Sequence, residues 1–306
     1  MHIQHWAPPL AVYLWPLVRL AKKNGRRVVV TVHNPIAHEK VGVFRFFERR
    51  LLCAADMLLV HGAVGCRILQ ERMGSTGSLV RRIEHGMAVA EQPVSPTPDD
   101  YASLGLDPAY RYVLLFGNLR GYKGVDVLLD AWKRAQPHLD NVRLVIAGRL
   151  WDGGGRWIGW ASASLLGVAG DARRIQRMLT FEGSMRGIVL REGFQSDAEI
   201  DALIRVCEFA VFPYVRFSGQ SGAACRAAAL GRPVLVSRVG GLPDLAIDES
   251  WVVGPGDSLA LADRLLEKLA KSSWDGEINF VQLNKVRGYD WDAVARDHVA
   301  AYRELA

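Results

Sequence analysis

The chain has 306 residues, of which 50% are apolar and 23% charged, and a formal net charge of +6. This suits two domains with ordinary hydrophobic cores and excludes fibrous and mostly disordered proteins. Four cysteines (Cys53, Cys66, Cys207 and Cys225) without a C-x-x-C pair favour neither a zinc ribbon nor a disulfide scaffold. No run approaches the roughly 18 apolar residues of a spanning helix, and the N-terminus has no signal-peptide pattern, so the expectation is a cytoplasmic protein with room for peripheral contact on the inner membrane face.

The charge is unevenly placed. Residues 1–98 hold 13 Lys+Arg against 6 Asp+Glu, whereas the remainder holds 25 against 26. Lys22, Lys23, Arg26, Arg27, Arg49, Arg50, Arg81 and Arg82 come in pairs. Such a face suits an anionic membrane, a diphosphate-bearing ligand or nucleic acid, or is simply solvated.

In chain order, short β-branched runs predict strands at Arg27–Val32, Met57–Val60, Tyr112–Phe116, Val142–Ala147, Ile188–Arg191, Phe209–Phe212 and Pro233–Val236. Amphipathic segments between them predict helices at Val43–Ala54, Val125–Gln136, Asp197–Val206 and Ser221–Leu230. This alternation is the pattern of βαβ units and parallel sheets. The stretch Ala88–Asp107 carries Pro93, Pro96 and Pro98 and no apolar period, which predicts a first domain over 1–98, a linker over 99–110 and a second domain over 111–288. The uncharged run Trp157–Gly170, behind a triple-glycine turn, reads as a buried helix or an interfacial one.

Two stretches carry chemistry. In LLFGNLRGYKGVDVLLDAW (Leu114–Trp132) a strand meets Gly117, a short loop presents Arg120 and Lys123, and Gly124 opens a helix. Guanidinium and ammonium in one loop beside glycine suit a diphosphate. In Phe209–Leu245 a strand ends at Pro213 and a small-residue helix begins near Ser221, whose first amides, at Ser221, Gly222 and Ala223, would face an anion. No Asp or Glu occurs between Ala210 and Pro243, so this stretch supplies no acid–base carboxylate of its own. His33 and His38 are not at the i, i+4 spacing of a helical metal pair, and Asp290-Trp291-Asp292 reads as a helix cap; no metal is expected. His61, His138 and His298 read as structural or exposed.

Together these stretches resemble the donor half of retaining glycosyltransferases of family 4, with the GT-B fold. The order runs G-x-x-R-x-Y-K-G-x-D-x-L-L from Gly117, LVIAG at Leu144–Gly148, GF at Gly193–Phe194, VFPY at Val211–Tyr214, then A-x-G-R-P-V and V-G-G-L-P. TVHNP at Thr31–Pro35, HE at His38–Glu39, AAD at Ala54–Asp56 and HG at His85–Gly86 resemble the acceptor half, and residues 289–306 resemble the helix that crosses back to it. The resemblance implies two Rossmann-like domains facing across a cleft, the first shortened and without the glycine-rich loop of its opening strand. It implies a nucleotide diphosphate sugar as donor, a saccharide or lipid-linked saccharide as acceptor, transfer with retention in cell-surface or exopolysaccharide synthesis, and neither cofactor nor nucleic-acid partner. By position, His33, Arg120 and Lys123 would be catalytic. Gly117, Asn118, Gly193, Phe194, Gln220, Ser221 and Gly222 would bind donor. The two glutamates common in the family are replaced by Ser218 and Arg226, which raises the alternative of a catalytically silent member that binds nucleotide or a membrane-bound assembly partner.

Overall fold

Runs such as Val-Val-Thr-Val and Met-Leu-Leu-Val are apolar on both faces, as strands covered by helices on both sides require. In a computed structural model of the chain, which describes residues 1–36, 42, 44–74, 78–150, 168–182, 187–270 and 276–305, they form two wholly parallel sheets. The chain divides into two compact units: Met1–Met87 with Phe217–Ser221 and Gly288–Ala306, and Ala88–Arg216 with Gly222–Arg287.

The first unit holds β1 (His2–His5), α1 (Ala11–Lys23), β2 (Val29–Val32), α2 (Phe44–Ala54), β3 (Met57–Val60), α3 (Ala63–Met73) and β4 (Leu79–Arg82). Its sheet order is β1-β2-β3-β4, in register from His2 opposite Val29 to Val60 opposite Arg82. Val30, Val32, Leu58 and Val60 on one face pack with Leu51 and Leu52 of α2. The other face, with Val29, Met57 and Leu59, packs on Val294 and Ala301 of the last helix, Trp291–Arg303. Asp290 caps that helix by accepting from the Ala293 amide at 2.8 Å, as its capping reading expects. Arg81 pairs with Glu304 at 2.7 Å.

The second unit continues with α4 (Pro98–Leu104), β5 (Arg111–Phe116), α5 (Val125–Ala135), β6 (Val142–Gly148), α6 (Val168–Glu182), β7 (Ile188–Glu192), α7 (Asp197–Val206), β8 (Cys207–Phe212), α8 (Gly222–Ala229), β9 (Val234–Ser237), β10 (Val252–Val253), α9 (Ser258–Leu269) and α10 (Gly276–Val286), and α11 is the last helix of the chain. The order β10-β9-β8-β5-β6-β7 reverses direction between β5 and β8, and such a switch point opens a crevice beyond the C-terminal strand ends. The predicted strands and helices are found with ends shifted by one or two residues; α8 begins at Gly222 rather than Ser221. The run Trp157–Gly170 falls almost entirely outside the described residues.

The division between units lies before Ala88, not near residue 98, and the stretch expected as a linker carries α4, closed by a capping box of Thr97 and Asp100. The reason is a set of long-range bonds that no local pattern announces. Asp100 accepts from Arg205 at 2.6 Å, and this pairing holds its carboxyl down at about 2. The fully buried Arg232 donates to the carbonyl oxygens of Val94, Ile204 and Arg205 at 2.6–2.7 Å. Burial lowers its pKa to about 10, still well above neutrality. An Arg232→Met substitution leaves three buried carbonyls without these donors and is expected to cost on the order of 3 kcal/mol. Urea unfolding followed by circular dichroism measures the loss, and an unchanged midpoint contradicts the anchoring role.

Candidate functional site

In the second unit three parallel strands end in glycine, and each glycine is needed. Gly117, Gly148 and Gly193 have φ of 106°, 148° and 113°. A Cβ on Gly148 would meet the Gly117 carbonyl oxygen at 2.0 Å, so side chains at this edge would fill the space that the backbone leaves open. The Gly193 amide donates to the Gly148 carbonyl at 3.1 Å and the Leu119 amide to that of Arg149 at 2.8 Å, which fixes the row. Beyond it lies an open pocket of about 320 Å³, lined among others by Gly117, Asn118, Gly193, Phe194, Gly222 and Ala223. Phe194 is 84% exposed at this pocket, an aromatic face with nothing packed over most of it.

Lys123 closes the short helical turn Gly121–Lys123 and is only 7% exposed. Its ammonium lies 5.4 Å from the centre of the Tyr214 ring and 3.0 Å from where a Cβ on Gly117 would stand. The turn is held in place because the Val215 amide donates to the Tyr122 carbonyl at 2.8 Å, and because Gly124, at φ 68°, brings its backbone against the Pro213 carbonyl, where a Cβ would sit at 1.9 Å. Burial, with the neighbouring Arg120 guanidinium, pushes the Lys123 pKa down from its usual value. Among the described residues no carboxylate pairs with this ammonium. The same Gly117 position is 3.7 Å from the Ala223 Cβ, in the first turn of α8, so the ammonium and a helix N-terminus are gathered at one strand end.

A carboxylate reaches this pocket from an element that the acid-free stretch did not point to. Arg226 of α8 donates to Asp201 at 2.8 Å and pairs with Asp197, both on α7, and these carboxylates raise its pKa against the opposing effect of burial. Asp197 and Arg226 both line the pocket. Arg226 is therefore neither a bare charge beside an anion nor a solvent-facing residue. Asp197, Asp201 and Tyr214 are site residues that sequence reasoning missed, since the two aspartates lie on a different helix from the motif they serve.

Of the remaining predicted residues, His33 belongs to the first unit. Gln220 and Ser221 lie there, while Gly222 opens α8 of the second unit. Gln220 Oε1 accepts from the His85 amide at 2.8 Å, and Ser218 Oγ accepts from the Ile36 amide at 3.1 Å and donates to the Ile36 carbonyl at 3.2 Å. A Cβ on Gly219 would come within 2.6 Å of the His33 carbonyl, which seats this segment closely on the residues after β2. His33 Nε2 lies 2.6 Å from Gln4 Oε1 and its ring stacks on Trp6 with centres 5.0 Å apart. His38 and Glu39 lie outside the described residues. Among the described residues no cluster of three or more His, Cys, Asp or Glu is placed to hold a metal, and no helix is long and apolar enough to cross a membrane.

A parallel sheet with a switch in strand order, whose strand ends gather a buried ammonium, a helix N-terminus and an open glycine edge, defines a doubly wound α/β protein. The family described as "Glycosyl transferases group 1" matches residues 110–271, more than half of the chain, and the chain belongs to that family. An uncharacterized glycosyltransferase of Methanocaldococcus jannaschii is 27% identical over 212 residues, covering 66% of this chain and 47% of that protein. A D-inositol 3-phosphate glycosyltransferase of Mycolicibacterium gilvum is 35% identical over 198 residues, 64% of this chain and 40% of that protein. The chain thus spans less than half the length of these curated relatives. Among solved structures, sucrose-phosphate synthase of Thermosynechococcus elongatus aligns with a TM-score of 0.75 at 22% identity, covering 99% of this chain and 73% of that one. Anabaena Alr3699/HepE in complex with UDP-glucose aligns at 0.74 and 15%, covering 98% and 78%. The α/β fold with two parallel sheets is the GT-B type that the sequence led us to expect.

The histidines of the first unit give a pH signature. Burial first, then the neighbouring histidines, lowers His33 to about 4; burial lowers His61 to about 4 against its bond to Ile83. In the unfolded chain both titrate near 6.5, so between about pH 6.5 and 4 the unfolded state binds more protons and stability falls as pH falls. The urea midpoint is expected to drop across that window, and to drop less in His61→Asn. A flat profile from pH 6.5 to 4 contradicts the neutral state of these rings.

Proposed function

We propose that this protein transfers a sugar from a nucleotide diphosphate sugar to a saccharide or lipid-linked saccharide, with retention, in the synthesis of cell-surface or extracellular polysaccharide. The observation that carries the donor side is the buried Lys123 ammonium, which faces the glycine strand end and the first turn of α8 without a carboxylate partner among the described residues. With Arg120 and the α8 amides it would hold the diphosphate and stabilise the charge that grows there as the glycosidic bond breaks. Gly193 and Phe194 would flank the nucleobase. Asp197, steadied by Arg226, would accept hydrogen bonds from the ribose hydroxyls, a role the family commonly gives to a glutamate at the Arg226 position. The family match and the UDP-glucose named in the HepE structure support this reading. Charge neutralisation by protein groups makes it metal-independent.

Arg120→Ala and Lys123→Ala are each expected to lower turnover by on the order of 100-fold, as loss of a group that stabilises transition-state charge does. Thermal-shift screening with UDP-, GDP- and ADP-sugars, followed by a transfer assay, makes the measurement. Unchanged turnover in both variants would sink the assignment. Ser218 is bonded to the Ile36 backbone where the family commonly has a glutamate, and this favours the second reading, a silent nucleotide binder. Nucleotide binding without transfer on any acceptor would select it.

We also propose that the first unit meets anionic lipid. Lys22 and Arg27 pair with Asp56, Arg81 with Glu304 and Arg82 with Glu84, so much of the paired basic charge is satisfied internally. Exposed Tyr13, Leu17, Leu20 and Phe46 stand with exposed Arg19, Lys23, Arg49 and Arg50 on α1 and α2, a combination suited to an interface. Binding to phosphatidylglycerol-containing liposomes is expected at low salt and should weaken as salt is added. Binding that is absent, or indifferent to salt, removes the membrane part of the reading.

A further inference from the structure

A buried charge network crosses the first unit. Glu48, on α2, is 3% exposed and uses both carboxylate oxygens: Oε1 lies 3.2 Å from Nε2 of His5 on β1, and Oε2 accepts from Arg72 of α3 at 2.7 Å. Burial works to raise the Glu48 pKa, but the bonds from His5 and Arg72 outweigh it and leave the carboxyl below its usual value, ionised at neutral pH. An ionised carboxylate only accepts, so His5 Nε2 carries a proton. The other nitrogen of that ring is buried with no hydrogen-bond partner, which leaves Glu48 as the polar anchor of a residue 1% exposed. Arg72 extends its second arm, Nη1, to the carbonyl oxygen of Pro35.

The network closes on itself around His33. The His33 amide donates to the His5 carbonyl at 3.0 Å, so His5 grips the backbone at His33 directly and, through Glu48 and Arg72, grips it again two residues later. The residues on either side of Pro35 have tethers of their own: Asn34 Nδ2 donates to the Trp6 carbonyl at 2.8 Å, and the Ile36 amide to Ser218 Oγ at 3.1 Å. Pro35 is buried and has no amide hydrogen, so its carbonyl is the one backbone group by which a hydrogen bond can hold it. A buried ion pair adds little net stability over apolar side chains of similar volume, because both charges must leave water. What it adds is direction. The guanidinium is planar with donors in a fixed fork, so one arm on Glu48 sets where the other arm points.

We propose that Glu48 is a positioning residue that acts through Arg72 to hold residues 33–36, and with them the His33 imidazole, in the placement that sugar transfer requires. The inference rests on the proposed function and on the reading of His33 as a catalytic residue. Glu48 touches no substrate and takes no part in proton transfer. The His33 ring has two contacts of its own, Nε2 2.6 Å from Gln4 Oε1 and the stack on Trp6. Gln4 and Trp6 flank His5 in the chain. A Pro35 carbonyl without its donor therefore lets residue 33 shift against both.

Arg72→Lys separates this role from a merely structural one. Lysine keeps a cation for Glu48, so the buried charge stays paired, but one ammonium cannot hold the carboxylate and the Pro35 carbonyl in the fixed geometry of a guanidinium fork. Glu48→Gln is nearly isosteric and removes the charge instead. In the whole protein each variant is expected to lower transfer turnover about tenfold, as a small misplacement of a reacting group does. Each should also move the His33 imidazole nitrogen resonances and bind UDP, GDP or ADP with wild-type affinity by calorimetry, since the second unit would hold the nucleotide. An Arg72→Lys protein with wild-type turnover, or with unmoved His33 resonances, overturns the proposal whether or not Glu48→Gln folds. If the wild type transfers sugar to no acceptor, the proposed function fails. The His33 resonances then decide the placement by themselves: moved in Arg72→Lys they support it, and unmoved they overturn it.

Discussion

A side chain at Gly148 would stand 2.0 Å from the carbonyl oxygen of Gly117, and that near contact of two backbones sets the shape of the second unit's site. With no Cβ at either position, β5 and β6 end in bare peptide, and the next strand joins them through the Gly193 amide. The space so kept open is the pocket, and the ammonium of Lys123 lies under its glycine edge. A lysine buried in this way is costly unless something anionic arrives to pair with it. The loop that carries it is therefore braced twice, by the Tyr122 carbonyl bonded to Val215 and by the Gly124 backbone against Pro213.

The same edge logic operates differently in the first unit. Its four parallel strands deliver aromatic and amide side chains rather than glycines, and the row from Trp6 to Trp291 consists of indole and imidazole rings. One parallel sheet thus offers a glycine-lined end beside a buried ammonium and the other a ring-lined end.

Much of the candidate site in the second unit was legible in the sequence because its residues are local. Gly117, Asn118, Arg120, Lys123 and Gly124 lie within one strand-loop-helix unit, where spacing alone fixes their neighbourhood. Gly193 and Phe194 were legible through the order of motifs. Asp197 and Asp201 were not, because they reach Arg226 from a separate helix, and an acid-free stretch of sequence says nothing of acids brought in by packing. His61 read as structural, and it is buried with Nδ1 2.7 Å from the Ile83 carbonyl oxygen; that His33 and His85 adjoin it was not legible, because they are distant in the chain and only β-sheet register aligns the three.

By itself the sequence determined the alternation of strands and helices, the class of fold and the basic loop between β5 and α5, since hydrophobic period, glycine and basic residues act over a few neighbours. Tertiary structure alone decided where the units divide, because that depends on Arg232 and Arg205 reaching across more than a hundred residues to Val94 and Asp100. It also decided which charges are spent internally and which polar atoms are left without a partner. Those are questions of distance in space, and spacing along the chain does not encode them.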